Sequence, residues 1–295
     1  MKTQIVPKTA LTKHVPCSAT GNAAFEIIRM DARGSLETED VLAVEETLDI
    51  QVNGRPFSLT MRTPGNDGDL ALGLLFAEGI IETAADVLGI SHRSHNHVDV
   101  TISAPFDPSR FERKVVTNSA CGICGLREMA CRTPIPRIPP SDFSIAAEAL
   151  QALPAALAGQ QDIFRETGGL HAAAWFDSAG HVLLTREDVG RHNAVDKLIG
   201  CAVREGRLPL STCGLLVSGR IAFEIAQKAA RAGIPFLAAI GAPTSLSVQC
   251  AKAAGISLAG FLRADRANIY AGGRRVTRKV RADSRPGPAM DHAAM

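Results

Sequence analysis

Residues 215–262 read LLVSGRIAFEIAQKAARAGIPFLAAIGAPTSLSVQCAKAAGISLAGFL. Three short apolar runs, at 215–217, 235–240 and 256–262, alternate with two stretches of helical pattern, 221–232 and 244–254. Strand–helix alternation of this kind implies a largely parallel sheet with helices on its faces. The pattern continues upstream. Residues 171–176 and 182–186 read as strands, and 191–204 as a helix with Val195, Leu198, Ile199 and Ala202 on one face. Residues 143–157 read as a helix that Pro154 is expected to shorten.

Further toward the N-terminus the pattern changes. Leu48, Ile50 and Val52 alternate with polar residues, Asn53-Gly54 follows, and Phe57, Leu59 and Met61 alternate again. Asn-Gly between two alternating runs signals a hairpin, because both residues tolerate positive φ. Residues 63–66 (TPGN) break the chain. Residues 67–81 read as a helix with Leu70, Leu74 and Leu75 on one face, and 97–102 and 111–116 as a second strand pair. The organisation expected is α/β with two subdomains. A loose segment 1–22 precedes an N-terminal α+β subdomain over 23–116 with antiparallel strands. A cysteine-bearing loop and proline-rich linker follow over 117–140 (Pro134, Pro136, Pro139, Pro140), then a C-terminal α/β subdomain over 141–272 and a basic, disordered tail over 273–295.

The chain has 295 residues, 46% hydrophobic and 21% charged, an ordinary globular composition. Its 32 basic and 30 acidic residues nearly balance, which argues against a dedicated nucleic-acid binder. With one tryptophan (Trp175) and one tyrosine (Tyr270), platforms for stacking bases are scarce. No run approaches the ~18 apolar residues of a membrane span, and residues 1–12 lack the apolar core of a secretory signal. A cytoplasmic protein without membrane or nucleic-acid partners is expected. Seven cysteines, an odd number in a reducing compartment, are not a disulfide framework.

The sharpest local signal is Cys121-Gly122-Ile123-Cys124. Two thiols at this spacing can share a metal, form a redox disulfide, carry and resolve a persulfide, or simply pack in a loop. Zinc would need two more ligands, for which Cys131, His92, His95 and His97 are available. Thioredoxin-type exchange would want a long helix after the pair, where proline-rich chain follows instead. A second cluster, residues 186–197 (REDVGRHNAVDK), crowds charge into a strand-to-helix turn, where ligands bind in open α/β sheets. There Arg191, His192 and Lys197 could hold phosphates and Asp188 could orient a base or hydroxyl. Ser218-Gly219-Arg220 and Gly241-Ala242-Pro243-Thr244-Ser245 repeat the arrangement. Each is by itself a good helix cap, and together they suit an anionic ligand. Neither a Walker A sequence nor a complete Gly-x-Gly-x-x-Gly occurs at these turns. His171, after Gly168-Gly169, opens a strand. Arg263 and Arg266, in Phe261-Leu262-Arg263-Ala264-Asp265-Arg266, would suit a pyrophosphate.

Taken together, Asn118 to Gly125 (NSACGICG), Gly168-Gly169-Leu170-His171, residues 187–197, Ser218-Gly219-Arg220 with Phe223-Glu224, and Ala242-Pro243-Thr244-Ser245 resemble the FdhD family of formate dehydrogenase accessory sulfurtransferases. The resemblance spans about residues 40–270. It departs from the pattern at Ala267, where an aromatic residue is expected before Asn268-Ile269-Tyr270. It implies a C-terminal three-layer α/β/α domain of cytidine-deaminase-like type and a homodimer. It also implies a sulfurtransferase that takes sulfur from a cysteine desulfurase of the IscS type as a persulfide. Cys121 would carry the sulfur and Cys124 would receive, resolve or relay it. The acceptor would be the molybdenum of bis-molybdopterin guanine dinucleotide, held as bound substrate before its insertion into formate dehydrogenase; no resident metal is implied. The residues expected to bind that cofactor are Phe261, Leu262, Arg263, Ala264, Asp265, Arg266, Asp188, Arg191, His192, Ser218, Gly219, Arg220 and Thr244. Zinc-dependent deamination is rejected, because it needs His-x-Glu and Pro-Cys-x-x-Cys, whereas Ala172 and Ala173 follow His171 and Ala120 precedes Cys121. A cofactor-binding chaperone without sulfur chemistry is the rival reading.

Overall fold

The computed structural model describes residues 21–111 and 135–278. The described chain opens with a two-stranded antiparallel ribbon, β1 (Asn22–Asp31) and β2 (Gly34–Ala43), that joins no larger sheet among the described residues. A four-stranded sheet follows, in the order β4-β3-β6-β5, built from β3 (Glu46–Val52), β4 (Arg55–Arg62), β5 (Val87–Ser94) and β6 (His97–Ile102). The hairpin read at Asn53-Gly54 is present, with φ of 52° and 72° at its two turn residues. Helix α1 (Asp67–Ala77) buries Leu70, Leu72 and Leu75. It ends four residues earlier than the periodicity predicts, because Gly79 adopts φ 75° and the N–H groups of Gly79 and Ile80 turn back onto the carbonyls of Phe76 and Leu75.

One strand pairing differs from expectation. β6 pairs antiparallel with β5, while Phe111 closes a 3-10 turn (Pro108–Phe111) and residues 112–116 lie outside the described chain. β5 escapes a sequence reading because it is an edge strand, largely exposed, and Gly89 interrupts its alternation.

The C-terminal sheet has six strands in the order β13-β12-β11-β10-β8-β9. They are β8 (His171–Phe176), β9 (Val182–Asp188), β10 (Gly214–Val217), β11 (Phe236–Ala239), β12 (Ser257–Arg263) and β13 (Arg266–Ala271). The sheet is mixed rather than largely parallel. β10, β11 and β12 run parallel, while β8, β9 and β13 pair antiparallel with their neighbours. The reason is connection length: β8 to β9 and β12 to β13 are joined by five and two residues, too few for the crossover that a parallel pair requires.

Alternation along these strands divides two cores. Ala173, Trp175, Leu215, Val217, Leu237 and Ala239 face α4 (Arg191–Arg204), α5 (Phe223–Arg231) and α6 (Ser245–Ala254), in a cluster that runs on through α1 to the first sheet. Ala172, Ala174, Phe176, Leu216, Phe236 and Ala238 face α2 (Ala147–Ala158), which contributes Leu150, Leu153 and Leu157. Helices therefore cover both faces. Pro154 lies inside α2 without ending it: burial of the three leucines, each worth roughly 1.5–3 kcal/mol, carries the helix to Ala158. A short helix, α3 (Asp162–Thr167), precedes β8.

Two glycines set the distance between α1 and α4. A methyl group on Gly73 would lie 2.0 Å from the Asp196 carbonyl oxygen, and one on Gly200 1.7 Å from that of Asp69. Residues 273–277, expected to belong to a disordered tail, are ordered, and residues 279–295 lie outside the described chain. A 3-10 turn (Gly273–Arg275) and β14 (Val276–Thr277), parallel to β7 (Ile145–Ala146), are ordered, and Arg275 is buried with hydrogen bonds to the Gly255 carbonyl and Ser257 Oγ. Among the described residues no helix is long and apolar enough to cross a membrane.

Candidate functional site

Because β8 runs antiparallel to β10, its first residue, His171, lies at the sheet edge where β10, β11 and β12 end. β9 ends at the same edge, so Asp188 and the first turn of α4 arrive there too. The segments singled out at 188–192, 218–220, 241–244 and 261–266 thus converge on one edge.

Backbone hydrogen bonds join three of these loops into a floor. Gly241 N–H donates to the Gly219 carbonyl (3.2 Å), Phe261 N–H to that of Gly241 (2.9 Å), and Ile221 N–H to that of Ala242 (3.0 Å). Ser218 is held from both sides, its N–H on the Ala172 carbonyl and its Oγ accepting from Ala172 N–H, both at 2.9 Å. A methyl group on Gly241 would stand 2.5 Å from the Gly219 oxygen, so the floor demands glycine there. Thr244 is the N-cap of α6, its Oγ1 accepting from Ser247 N–H at 3.3 Å and its N–H donating to Ser247 Oγ.

Phe261 sits in a bulge of β12 at φ 53°, a left-handed conformation rarely occupied by an aromatic residue, and is 40% exposed. Arg263 donates from Nη1 to the carbonyls of Ile240 (2.9 Å) and Leu262 (2.7 Å), which fixes its side chain along the edge. Ala264 and Asp265 form the exposed turn to Arg266, and Arg220 is also exposed.

Beside this floor His171, Arg191, His192 and Glu224 come together. A methyl group on Gly219 would lie 3.3 Å from His171 Nδ1 and 4.0 Å from Arg191 Cβ. Burial holds His171 below the ordinary histidine value, and the positive charges of Arg191 and His192 push it the same way against the opposing pull of Asp188. His192 is buried, its Nε2 3.8 Å from Glu224 Oε2. The facing imidazole holds the Glu224 carboxyl below the usual carboxylate range, against the effect of burial.

The structure corrects three expected contacts. Asp188 is fully buried: Oδ2 pairs with Lys197 Nζ (2.8 Å) and accepts from Thr63 N–H, while Oδ1 accepts from Gly190 N–H and Asn193 Nδ2. Lys197 is equally enclosed, its Nζ also donating to the carbonyls of Thr63 and Glu187, so neither residue reaches a ligand. Leu262 points into the core against α2. The turn is anchored instead by Thr63, which sequence reasoning saw merely as a chain break; nothing in TPGN announces a partner 125 residues away. Glu187 also turns away, accepting from the N–H groups of Ile163 and Phe164 at the start of α3. Cys121, Cys124 and Cys131 lie outside the described residues. His95 and His97 face Glu46 and Asp49, and among the described residues no group of three or more metal-ligating side chains is gathered.

Residues 43–277 match the profile of the FdhD/NarQ family. The chain belongs to that family. Among curated relatives, the sulfur carrier protein FdhD of Nocardia farcinica is 44% identical over 275 residues, covering 89% of this chain and 97% of its own. That of Streptomyces coelicolor is 46% identical over 261 residues, covering 82% and 92%. The solved structure of a formate dehydrogenase accessory protein from Desulfotalea psychrophila superposes with a TM-score of 0.71 over 87% of this chain and 99% of that one. At 22% identity it establishes a shared fold.

Proposed function

We propose that this FdhD/NarQ family member is a sulfur carrier that serves formate dehydrogenase. In this reading it accepts sulfur from a cysteine desulfurase of the IscS type as a persulfide on Cys121, assisted by Cys124. The Cys124 thiolate then resolves the persulfide, closing a Cys121–Cys124 disulfide and releasing the sulfur as hydrosulfide, which becomes the ligand of the molybdenum of bis-molybdopterin guanine dinucleotide, bound as substrate. The observation that carries the reading is the convergence at one sheet edge of the loops 218–220, 241–244 and 261–266 with the start of α4.

That edge has the chemistry a large polyanion requires. Three helices, α4, α5 and α6, present their N-termini there, where unpaired N–H groups and the helix dipole favour negative charge. Arg220, Arg263 and Arg266 are exposed on the same edge and can form forked hydrogen bonds to phosphate. Phe261, held outward by its bulge, offers a ring face to a planar group. The floor is rigid because its loops share backbone hydrogen bonds, so a ligand seated on it loses little to reorganisation. His171, kept neutral by its surroundings, can accept a proton there at neutral pH.

Incubating the protein with a cysteine desulfurase and cysteine, then measuring intact mass and mapping peptides, tests the carrier role. A reductant-sensitive gain of one sulfur on Cys121 is expected, and retention of full formate dehydrogenase activation by Cys121→Ala would overturn the assignment. If the double variant Cys121→Ser/Cys124→Ser still activated the enzyme, the protein would be a cofactor-binding chaperone.

A further inference from the structure

The outer sulfur of a persulfide is zerovalent, whereas hydrosulfide and the metal ligand it becomes are sulfide, so each transfer consumes two electrons. The step balances within one pair of cysteines. The Cys124 thiolate attacks Cys121 Sγ, the bond from Cys121 to the outer sulfur breaks, and that sulfur leaves as hydrosulfide with the electron pair of the broken bond. What remains is a Cys121–Cys124 disulfide. A desulfurase loads a thiolate, so the discharged chain accepts no second sulfur until the disulfide is reduced.

The fold withholds its described cysteines from that reduction. Cys201, in the last turns of α4, is 1% exposed, and its Sγ donates to Glu205 Oε1 at 3.2 Å. Cys213, just before β10, is buried with its Sγ turned to the Leu210 carbonyl at 3.8 Å. Cys250 lies on α6 in the core that α5 shares. All three are free thiols, so none stores a disulfide with another. Burial pushes each of them up to about 11, and at Cys201 the Glu205 and Asp69 carboxylates act in the same direction. At pH 7 about one in ten thousand of such thiols is the thiolate that exchange requires.

We propose that each sulfur transfer is followed by a second reaction in which a dithiol carried by another molecule reduces the Cys121–Cys124 disulfide. This rests on the sulfur-carrier reading and adds the reaction that must consume its oxidised product. One thiolate of the reductant attacks the disulfide and forms a mixed disulfide. Its second thiol then closes the reductant's own disulfide, and both cysteines return as thiols. A dithiol outdoes a monothiol because its second attack is intramolecular. Access is implied by the loading step, in which Cys121 already meets the persulfide of another protein.

Anaerobic loading from a desulfurase that carries its own persulfide, with free cysteine removed, tests this. The loaded protein is separated and its hydrosulfide release followed to completion. One hydrosulfide per chain is expected, with two fewer thiols in denaturant than before loading and a Cys121–Cys124 disulfide in non-reducing peptide maps. Returned to fresh persulfide-bearing desulfurase, this protein is expected to take up no sulfur. After treatment with dithiothreitol, then removed, it should take up one again, and glutathione at equal thiol concentration should restore less. Cys124→Ser should keep its sulfur on Cys121 and release none. A second sulfur taken up before any dithiol, or hydrosulfide released without loss of thiols, would overturn the proposal while leaving the carrier reading intact. Absence of the first sulfur would instead remove that reading, and the proposal with it.

Discussion

Asp188 and Lys197 form an ion pair of 2.8 Å whose side chains are 0% and 1% exposed. It lies directly beneath the first turn of α4, joining the end of β9, the body of that helix and, through Thr63, the loop after β4. The pair therefore aims Arg191 and His192 at the sheet edge without touching a ligand itself. Each oxygen of Asp188 has two internal partners, so the burial of this charge is fully compensated.

Removing one member leaves the other charged and buried. Lys197→Met is expected to cost about 3–5 kcal/mol of unfolding free energy, measured by urea denaturation. Asp188→Asn should cost a similar amount. Loss of under about 1 kcal/mol in both would show that the pair does not hold the turn.

The contact between α1 and α4 is expected to be as sensitive. Gly73→Ala and Gly200→Ala each place a methyl group on a carbonyl oxygen of the facing helix, so backbone must move. Each should destabilise by at least about 1–3 kcal/mol in the same assay. Ala at Gly89, where a methyl group meets nothing within 4 Å, is the control and should have little effect on packing.

Phe261 predicts an opposition between stability and binding. Its left-handed conformation costs about 1–2 kcal/mol that glycine would not incur, and a ring 40% exposed gives back little packing. Phe261→Gly is expected to raise the melting temperature or leave it unchanged, while weakening cofactor binding in a pull-down of molybdenum. Destabilisation together with unchanged binding would contradict the assignment of this ring to the ligand.

The sequence resolved what local chemistry decides and missed what depends on direction. Asn53-Gly54 gave its hairpin because a turn needing two positive φ values has few sequences to choose from. The helix read at 191–204 and the strand read at 171–176 appear with those bounds, the first a fourteen-residue amphipathic stretch and the second a short apolar run bounded by Gly168-Gly169 and Asp177. In the cluster 186–197 the sequence offers Asp188, Arg191, His192 and Lys197 to a ligand, yet Asp188 and Lys197 turn inward to Thr63 and each other. No periodicity distinguishes a buried, satisfied charge from one facing a ligand, and Thr63, which ties Asp188 to the loop after β4, lies 125 residues away. β13 was missed for a different reason: read as part of a charged turn, Arg266 begins a strand whose pairing is fixed by β12.

The pH dependence follows from His171 and Glu224. His171 has a folded value below its unfolded one, so between the two the unfolded chain holds more protons and stability rises with pH. That destabilisation is complete below the folded value and gone above the unfolded value near 6.5. Glu224 is also depressed. Its contribution is present above its unfolded value near 4.5 and is lost as pH falls through the folded one. Both act in one direction: stability declines on acidification, first through the His171 window and then through that of Glu224. His171→Gln should flatten the upper part of this profile, and the His171 ring proton should titrate below 6.5 by NMR. A midpoint above 6.5 would contradict the burial of the ring and the placing of Arg191 and His192 beside it.

The most direct test of the carrier account is the intact mass of the protein after incubation with an active cysteine desulfurase and cysteine. The account predicts one added sulfur, removed by reductant and mapped to Cys121, that is absent from Cys121→Ala. No added sulfur on either Cys121 or Cys124, with a desulfurase proven active on another acceptor, would contradict it.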